Sequence, residues 1–154
     1  MNGLELVIKK AEETDIEAIL SIYADDDLAA QREDFSQPRP QAYFNAFKKI
    51  EANSTTKLYL VNVGNEAAAT FQLHWLTYLS YKGGTRLLVE NVFVKKGFTG
   101  KGIGKAVFQF IKEEAQKTNC YMVQLTTNKL RPDAKRFYES VGFTATHEGM
   151  KMFL

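Results

Sequence analysis

The pattern of apolar and polar positions in the first third of the chain predicts one strand and a helix after it. Residues 4–9, LELVIK, are typical of a short strand. Thr14 lies three positions before Glu17, the capping-box spacing that satisfies free amides at the start of a helix. Apolar positions then follow at i, i+3, i+4 and i+7, the spacing of a helix packed by one face. These positions are Ile16, Ile19, Leu20 and Tyr23.

A second apolar stripe follows Pro38 and Pro40 and predicts a second helix, which ends near Asn53. Its members are Tyr43, Phe44, Phe47 and Ile50. Two helices therefore precede the main part of the sheet.

The middle of the chain predicts antiparallel sheet. Residues 57–63 (KLYLVNV) and 67–76 (AAATFQLHWL) flank the turn dipeptide Gly64-Asn65, as the two strands of a hairpin would. A longer turn that contains Gly83-Gly84 leads to a third strand over residues 85–94.

The last third predicts a helix over 102–117, a strand over 121–126, a helix over 132–140 and a strand pair from Phe143 to the end. The order is strand, two helices, three strands, helix, strand, helix, two short strands. This order predicts an α+β fold, with a mixed, mostly antiparallel sheet of about six to seven strands and four helices.

Length and charge narrow the class of protein. The chain has 154 residues, which predicts a single domain over residues 1–154. Its 20 Lys and Arg against 18 Asp and Glu give a net charge of +2, too small to favour a nucleic acid or an anionic membrane as partner.

Cys120 is the only cysteine, so the chain cannot form an internal disulfide, and a reducing compartment is expected. The start of the sequence has no basic leader with an apolar core, and no apolar run approaches the ~18 residues of a membrane helix. We therefore expect a cytoplasmic protein. The sequence leaves the oligomeric state open, a homodimer included.

The segment most informative about chemistry is VKKGFTGKGIGK, residues 94–105, where a predicted strand passes through four glycines into a predicted helix. Glycine lets the backbone approach a ligand closely, and the free amides and dipole of a helix start favour an anion, most often a phosphate. Nearby lysines add positive charge. The alternative is a solvated glycine-rich turn.

Two common phosphate motifs do not fit this segment. A P-loop needs four residues between its first glycine and a Gly-Lys pair followed by Ser or Thr, whereas three residues lie between Gly100 and Gly104-Lys105, and Ala106 follows. The glycines are spaced GxGxG and not GxGxxG, which excludes the dinucleotide fingerprint.

The segment VFVKKGFTGKGIGKAVFQFI resembles motif A of the GNAT superfamily of acetyl-CoA-dependent N-acyltransferases. RPDAKRFYESVGF, residues 131–143, resembles the second signature of that family, and the element order matches its fold along the whole chain. ENVFV, GKGIG and THEGMK are most similar to small bacterial members, including aminoalkylphosphonate N-acetyltransferases. The resemblance implies a three-layer GNAT-like fold with acetyl-CoA as the co-substrate.

The resemblance also implies which residues contact coenzyme A. Backbone amides of the glycine-rich turn would hold the pyrophosphate, and the preceding strand would offer its edge to the pantetheine arm. The implied residues are Val92, Phe93, Val94, Thr99, Gly100, Lys101, Gly102, Ile103, Gly104, Lys105, Asn128 and Arg131. Three positions depart from the family pattern: Thr99 replaces Arg or Gln, Lys96 replaces a frequent Pro, and Arg131 stands where many relatives have Asn.

Acetyl transfer to an amine needs a base, because an alkylammonium with a pKa near ~10 must lose a proton before it attacks. Strand alternation predicts Leu88, Glu90, Val92 and Val94 on one face, so that Glu90 is a lone carboxylate in an apolar row, where burial makes it a better proton acceptor. Family members similar to this chain use a glutamate here through water. A structural ion pair is the alternative role.

The leaving thiolate needs a proton donor, and the resemblance gives this role to Tyr138. The alternative is a core tyrosine with a satisfied hydroxyl. A backbone N–H near Val92 would stabilise the developing oxyanion. Cys120 lies outside both signature segments, which argues against a covalent intermediate.

The two histidines, His74 and His147, are not at metal-ligand spacing, so we predict no metal site and structural roles for both. His147 borders the acceptor side in similar proteins and stays a second choice for base. The acidic run 25–27 with Glu33 would favour a cationic acceptor if it faced the site. A set of basic side chains would favour an acidic acceptor: Arg39, Lys82, Arg86 or Arg131.

We therefore expect an N-acetyltransferase that moves an acetyl group to a primary amine of a small molecule by direct attack in a ternary complex. A protein N-terminus or a lysine is the alternative acceptor. A non-catalytic acyl-CoA-binding module and a nucleotide-binding protein are the alternative functions, although the motif spacing disfavours the second.

Overall fold

The computed structural model describes residues 5–154, in which one five-stranded sheet with the order β1-β2-β3-β4-β5 forms the centre. β1 to β4 pair antiparallel, and β4 and β5 pair parallel. The strands are β1 (Leu6–Lys10), β2 (Thr56–Val63), β3 (Glu66–Thr77), β4 (Thr85–Val94) and β5 (Met122–Leu125). The helices are α1 (Ile16–Ala24), α2 (Gln41–Ala52), α3 (Ser80–Gly83), α4 (Ile103–Lys117) and α5 (Pro132–Ser140).

Each face of the sheet has its own apolar core. On the α1/α2 face, Ile19, Leu20 and Phe47 pack with Leu58 and Leu60 of β2. On the α4/α5 face, the core contains side chains of β2 to β4 and of α4, with Phe137 and Tyr138 of α5 packed against it. A fully buried side chain of this kind stabilises the fold by ~1.5–3 kcal/mol, so the two cores fix the helices on the sheet.

A β-bulge interrupts β4 near its end. Phe93 pairs with Thr70 and Glu90 with Gln72, so that Phe71 alone lies opposite two residues, Asn91 and Val92. Asn91 has a φ of 53°, in the left-handed region that asparagine tolerates better than most residues. Because of the extra residue, the side chains that follow the bulge face the opposite side of the sheet from the one that simple alternation predicts.

β4 and β5 separate just before the bulge. Their pairing runs from Arg86 opposite Met122 to Val89 opposite Leu125, while β4 continues to Val94. The edge of β4 over residues 90–94 therefore has no strand partner on the β5 side. A parallel pair that ends early leaves the backbone groups of the longer strand without strand partners on that side.

The α+β class and the mixed sheet are confirmed, and the predicted number of strands is wrong. Residues 143–154 form no strand, so the sheet has five strands and not six to seven. The structure has five helices and not four, because the turn that contains Gly83 holds the short α3, with Tyr81 and Lys82 at positive φ. Leu4, in the first predicted strand, lies outside the described residues.

The predicted capping box of Thr14 and Glu17 is also wrong. A 3₁₀ turn precedes α1, and the Asp15 carboxylate accepts a hydrogen bond from the Glu12 N–H at 2.9 Å. Glu17 instead pairs with Arg39, 2.6 Å from its guanidinium. No helix in residues 5–154 is long and apolar enough to cross a membrane.

Candidate active site

The junction between β4 and α4 presents a row of free amides. A 3₁₀ turn over Lys96–Phe98 leads to Gly100 and Gly102, whose φ angles of 72° and 82° require glycine. α4 has no side-chain N-cap, and within residues 5–154 the amides of residues 100–105 have no hydrogen-bond acceptor. Such amides, together with the helix dipole, suit a phosphate.

Gly104 has a different role, in packing. A Cβ atom on Gly104 would lie 2.8 Å from Cζ of Phe137, so only glycine allows α5 to approach the first turn of α4 this closely. The contact brings the helix that carries Tyr138 next to the glycine-rich turn. The GxGxG spacing does not reveal this packing role, because Phe137 lies 33 positions further along the chain.

The lysines of this turn divide into free and paired groups. The Lys96 ammonium lies 2.7 Å from Asp27, which raises the pKa of the lysine, and the Lys96 N–H donates to Asp25 at 2.6 Å. Lys101 lies over the ring of Phe98 at 5.4 Å. In the described part of the chain, Lys101 and Lys105 form no salt bridge, so both could neutralise a phosphate. The Thr99 hydroxyl donates to the Lys96 carbonyl at 2.8 Å, where it closes the turn.

Glu90 is half-buried at the point where β4 and β5 separate. The predicted apolar row of Leu88, Glu90, Val92 and Val94 is wrong, because the bulge shifts Val92 and Val94 to the α4/α5 core. Glu90 lies on the α1/α2 face with its cross-strand partner Gln72. It therefore borders a polar side chain and not an apolar row.

Tyr138 lies on the other side of the sheet, in α5. It packs edge-on against Phe108 at 5.5 Å between ring centres and is half-buried. Burial raises the pKa of Tyr138, and the nearby Arg131 opposes the shift. Its hydroxyl has no hydrogen-bond partner within residues 5–154. Near pH 7 the Tyr138 hydroxyl is therefore neutral, and no other group in the described residues uses it as a hydrogen-bond donor.

Arg131 forms a bidentate ion pair with Asp26 across 105 positions of sequence, with both N–O distances 2.6 Å. The hydrogen bond from Arg131 lowers the pKa of Asp26 to about 2. The guanidinium also lies 5.7 Å from the ring of Phe93. The ion pair joins the α1–α2 connection to the start of α5. Asp26 already balances the charge of the Arg131 guanidinium.

Asn128 forms the turn before α5, since its side-chain oxygen accepts the Leu130 N–H at 2.9 Å. All three carboxylates of the acidic run 25–27 contact Lys96 or Arg131, while the side chain of Asp27 stays 84% exposed. Residue patterns could not reveal this link, which joins residues about 70 to 105 positions apart.

His74 belongs to a polar row on the α1/α2 face. Its Nδ1 lies 3.1 Å from the Thr56 hydroxyl and its Nε2 lies 3.1 Å from the Gln72 amide nitrogen. His147 is exposed and contacts its neighbour Thr146. Within residues 5–154, no three His, Cys, Asp or Glu side chains are grouped as metal ligands.

A cavity of about 190 Å³ lies between α1, α2 and the sheet, next to the bulge. It opens on the same face as Glu90, and its polar side chains are few. Its lining residues are Ile16, Ile19, Leu20, Tyr23, Tyr43, Ala46, Phe47, Ile50, Leu58, Gln72 and Asn91.

Comparison with known proteins identifies the family. The family model of the acetyltransferase (GNAT) family matches residues 16–143, which is most of the chain. The chain belongs to the GNAT acetyltransferase family. No curated protein sequence matches it.

Solved structures share the fold of this chain. A protein described as a transcriptional regulator from Bacillus halodurans C-125 is 38% identical over 97% of this chain and 100% of its own, with a TM-score of 0.93. A putative acetyltransferase from Agrobacterium tumefaciens is 24% identical over 96% and 99%, with a TM-score of 0.84. A predicted acetyltransferase from Clostridium acetobutylicum, solved with acetyl-CoA, is 20% identical over 97% and 96%, with a TM-score of 0.71.

In this GNAT chain, the structure brings several of the predicted residues to one place. The amides of residues 100–105 and the open edge of β4 at residues 92–94 lie at the same end of the sheet, with Tyr138 on one face and Glu90 on the other. Asn128 and Arg131 border this region but use their side chains in other contacts.

Proposed function

We propose that this chain acts as a single domain that transfers the acetyl group of acetyl-CoA to a primary amine of a small molecule, by direct attack in a ternary complex. The observation that carries the proposal is the open edge of β4, which begins at Glu90 and ends at the free amides before α4. The fold relative that was solved with acetyl-CoA supports this choice of co-substrate.

The residues present fit coenzyme A. The amides of residues 100–105, with Lys101 and Lys105, would hold the pyrophosphate, and the open edge at Val92 to Val94 would bind the amide groups of the pantetheine arm as an added strand does. When bound, acetyl-CoA supplies an acetyl thioester. Lys96 and Arg131 would contribute little charge, because both are paired with aspartates.

Two groups of this chain would move protons during transfer. Glu90 would accept a proton from the ammonium, directly or through a water molecule. The amine nitrogen would then bond to the carbonyl carbon, and the C–S bond would break as the Tyr138 hydroxyl donates its proton to the departing sulfur. The second proton that the nitrogen loses on becoming an amide would return Tyr138 to its neutral form through water. A backbone N–H near Val92 would donate to the carbonyl oxygen as negative charge develops on it.

Glu90→Gln and Tyr138→Phe test these roles by thiol release from acetyl-CoA. We expect kcat to fall by about 10²–10⁴ in each variant, the usual contribution of general acid–base catalysis, while acetyl-CoA still raises the melting temperature. Glu51→Gln and Tyr81→Phe, two exposed positions, are the matched controls and should keep the wild-type rate. Wild-type turnover in both site variants would contradict the assignment.

A second candidate is an acyl-CoA-binding module without catalysis. The observation that favours it is the description of the 38% identical relative as a transcriptional regulator. This candidate predicts a thermal shift with acetyl-CoA but no thiol release with amines, peptides or lysine-containing proteins. Turnover with a peptide and not with any small amine would instead indicate a protein acetyltransferase.

A further inference from the structure

The cavity between α1, α2 and the sheet is lined mostly by apolar side chains and has no charged side chain among its lining residues. α1 and α2 supply apolar side chains, and Leu58 of β2 forms part of the floor. Tyr23 adds a hydroxyl that stays neutral, because burial raises the pKa of Tyr23 to about 12. A ligand with a second charge would leave that charge unpaired here, at a cost of several kcal/mol.

Charged groups near this cavity already have partners. Arg39 pairs with Glu17, and Asp26 pairs with Arg131. Glu33 accepts a hydrogen bond from the Tyr43 hydroxyl at 2.9 Å. The charged side chains named here are therefore held by other groups of the chain, and the lining of the cavity carries no charge of its own.

Hydrogen bonds orient the amide of Gln72. An amide nitrogen only donates, so the contact of 3.1 Å between Gln72 Nε2 and His74 Nε2 makes the ring nitrogen the acceptor. The other ring nitrogen then carries the proton and donates to the Thr56 hydroxyl, 3.1 Å away. The oxygen of Gln72 has no donor within residues 5–154, and Gln72 both lines the cavity and pairs with Glu90.

From these contacts we infer that the acceptor is a primary amine on an uncharged hydrocarbon body, such as an arylalkylamine, and that the Gln72 oxygen accepts a hydrogen bond from its amino group beside Glu90. This inference rests on the proposed function. Gln72 is a specificity-determining residue, and His74 is a positioning residue that acts through it.

The test compares amines by calorimetric binding to the coenzyme A complex and by thiol release. Phenethylamine and hexylamine represent the inferred class, while spermidine and 2-aminoethylphosphonate carry a second charge. We expect kcat/KM and affinity to favour the first pair by about a hundredfold. Preference for spermidine or 2-aminoethylphosphonate, or equal use of all four, would overturn the inference but leave the proposed function standing. Selective binding of the first pair without thiol release would support the recognition and overturn the proposed function.

Gln72→Met keeps the length of the side chain and removes its oxygen. We expect KM for phenethylamine to rise about tenfold, the effect of one lost hydrogen bond, with KM for acetyl-CoA unchanged. Gln116→Met, at an exposed position of α4, is the matched control. An unchanged KM for the amine in a Gln72→Met protein that still binds acetyl-CoA would overturn the role of Gln72.

His74→Leu tests the positioning role. It should raise KM for the amine, and this effect should vanish in the Gln72→Met background, because His74 acts only through Gln72. Effects that multiply in the double variant would show that His74 has only a structural role.

Discussion

Asn91 determines which side chains of β4 face the cavity between α1, α2 and the sheet. Its positive φ adds one residue to β4 opposite Phe71, so Glu90 lies on the α1/α2 face while Val92 and Val94 join the other core. Without the bulge, simple alternation would put Glu90 and Val92 on the same face. One residue with unusual backbone geometry therefore separates the candidate base from the apolar side chains that follow it.

Substitutions at Asn91 should reveal this backbone requirement. Asn91→Gly should keep the free energy of unfolding within about 0.5 kcal/mol, because glycine adopts positive φ at little cost. Asn91→Val should lower it by about 1–3 kcal/mol, since a β-branched residue is strained in this region. Urea unfolding of both variants is the measurement. Equal stability of the two would contradict the backbone role that we give to this position.

The two candidate catalytic residues also show what the sequence cannot predict. Tyr138 is identified as a candidate from the family resemblance, and Glu90 from strand alternation together with that resemblance. The face on which Glu90 lies depends on the register between β3 and β4, in which Phe71 opposes two residues. Strand alternation assumes that no such irregularity exists, so it wrongly places Val92 and Val94 on the same face as Glu90.

At the scale of elements, helices and paired strands are predicted best, because hydrophobic spacing reports directly on a buried face. The two amphipathic helices, the hairpin and α4 lie close to their predicted positions. Contacts between distant elements have no such periodic signal. The ion pair of Asp26 and Arg131 and the close packing of Gly104 on Phe137 emerge only in the folded chain.

The Asp26–Arg131 pair should stabilise the contact between the α1–α2 connection and α5. Asp26→Asn should lower the free energy of unfolding by about 2 kcal/mol at pH 7, since the pKa of Asp26 is lowered to about 2 from its usual value of 3.8. The folded state prefers the ionised carboxylate, so this contribution is present above pH ~4 and is lost as the pH falls towards ~2.

Urea unfolding at several pH values measures this effect. The difference between wild type and Asp26→Asn should shrink between pH ~4 and ~2. Asp133→Asn is the matched control, because Asp133 pairs with Arg136 at the surface with 91% of its side chain exposed, and we expect less than about 0.5 kcal/mol. A pH-independent loss in Asp26→Asn would contradict the ion-pair account.

At the scale of the molecule, the arrangement separates three tasks. The glycine-rich turn offers amides to an anion, the divergence of β4 and β5 opens a strand edge, and the two faces of the sheet carry Glu90 and Tyr138. The proposal places the amine on the α1/α2 side and the departing thiolate on the α4/α5 side. The resemblance predicts this division only in outline, because it gives residue roles without the geometry of the cavity.

The most direct test of the central claim is thermal melting with and without acetyl-CoA, read together with thiol release on phenethylamine. A ligand that binds only the folded state at a hundredfold excess over its Kd stabilises it by about 2.7 kcal/mol, which gives a shift of several degrees. We predict this shift and release of coenzyme A thiol with the amine. No shift with acetyl-CoA would contradict the account, because the free amides before α4 would then hold no coenzyme A.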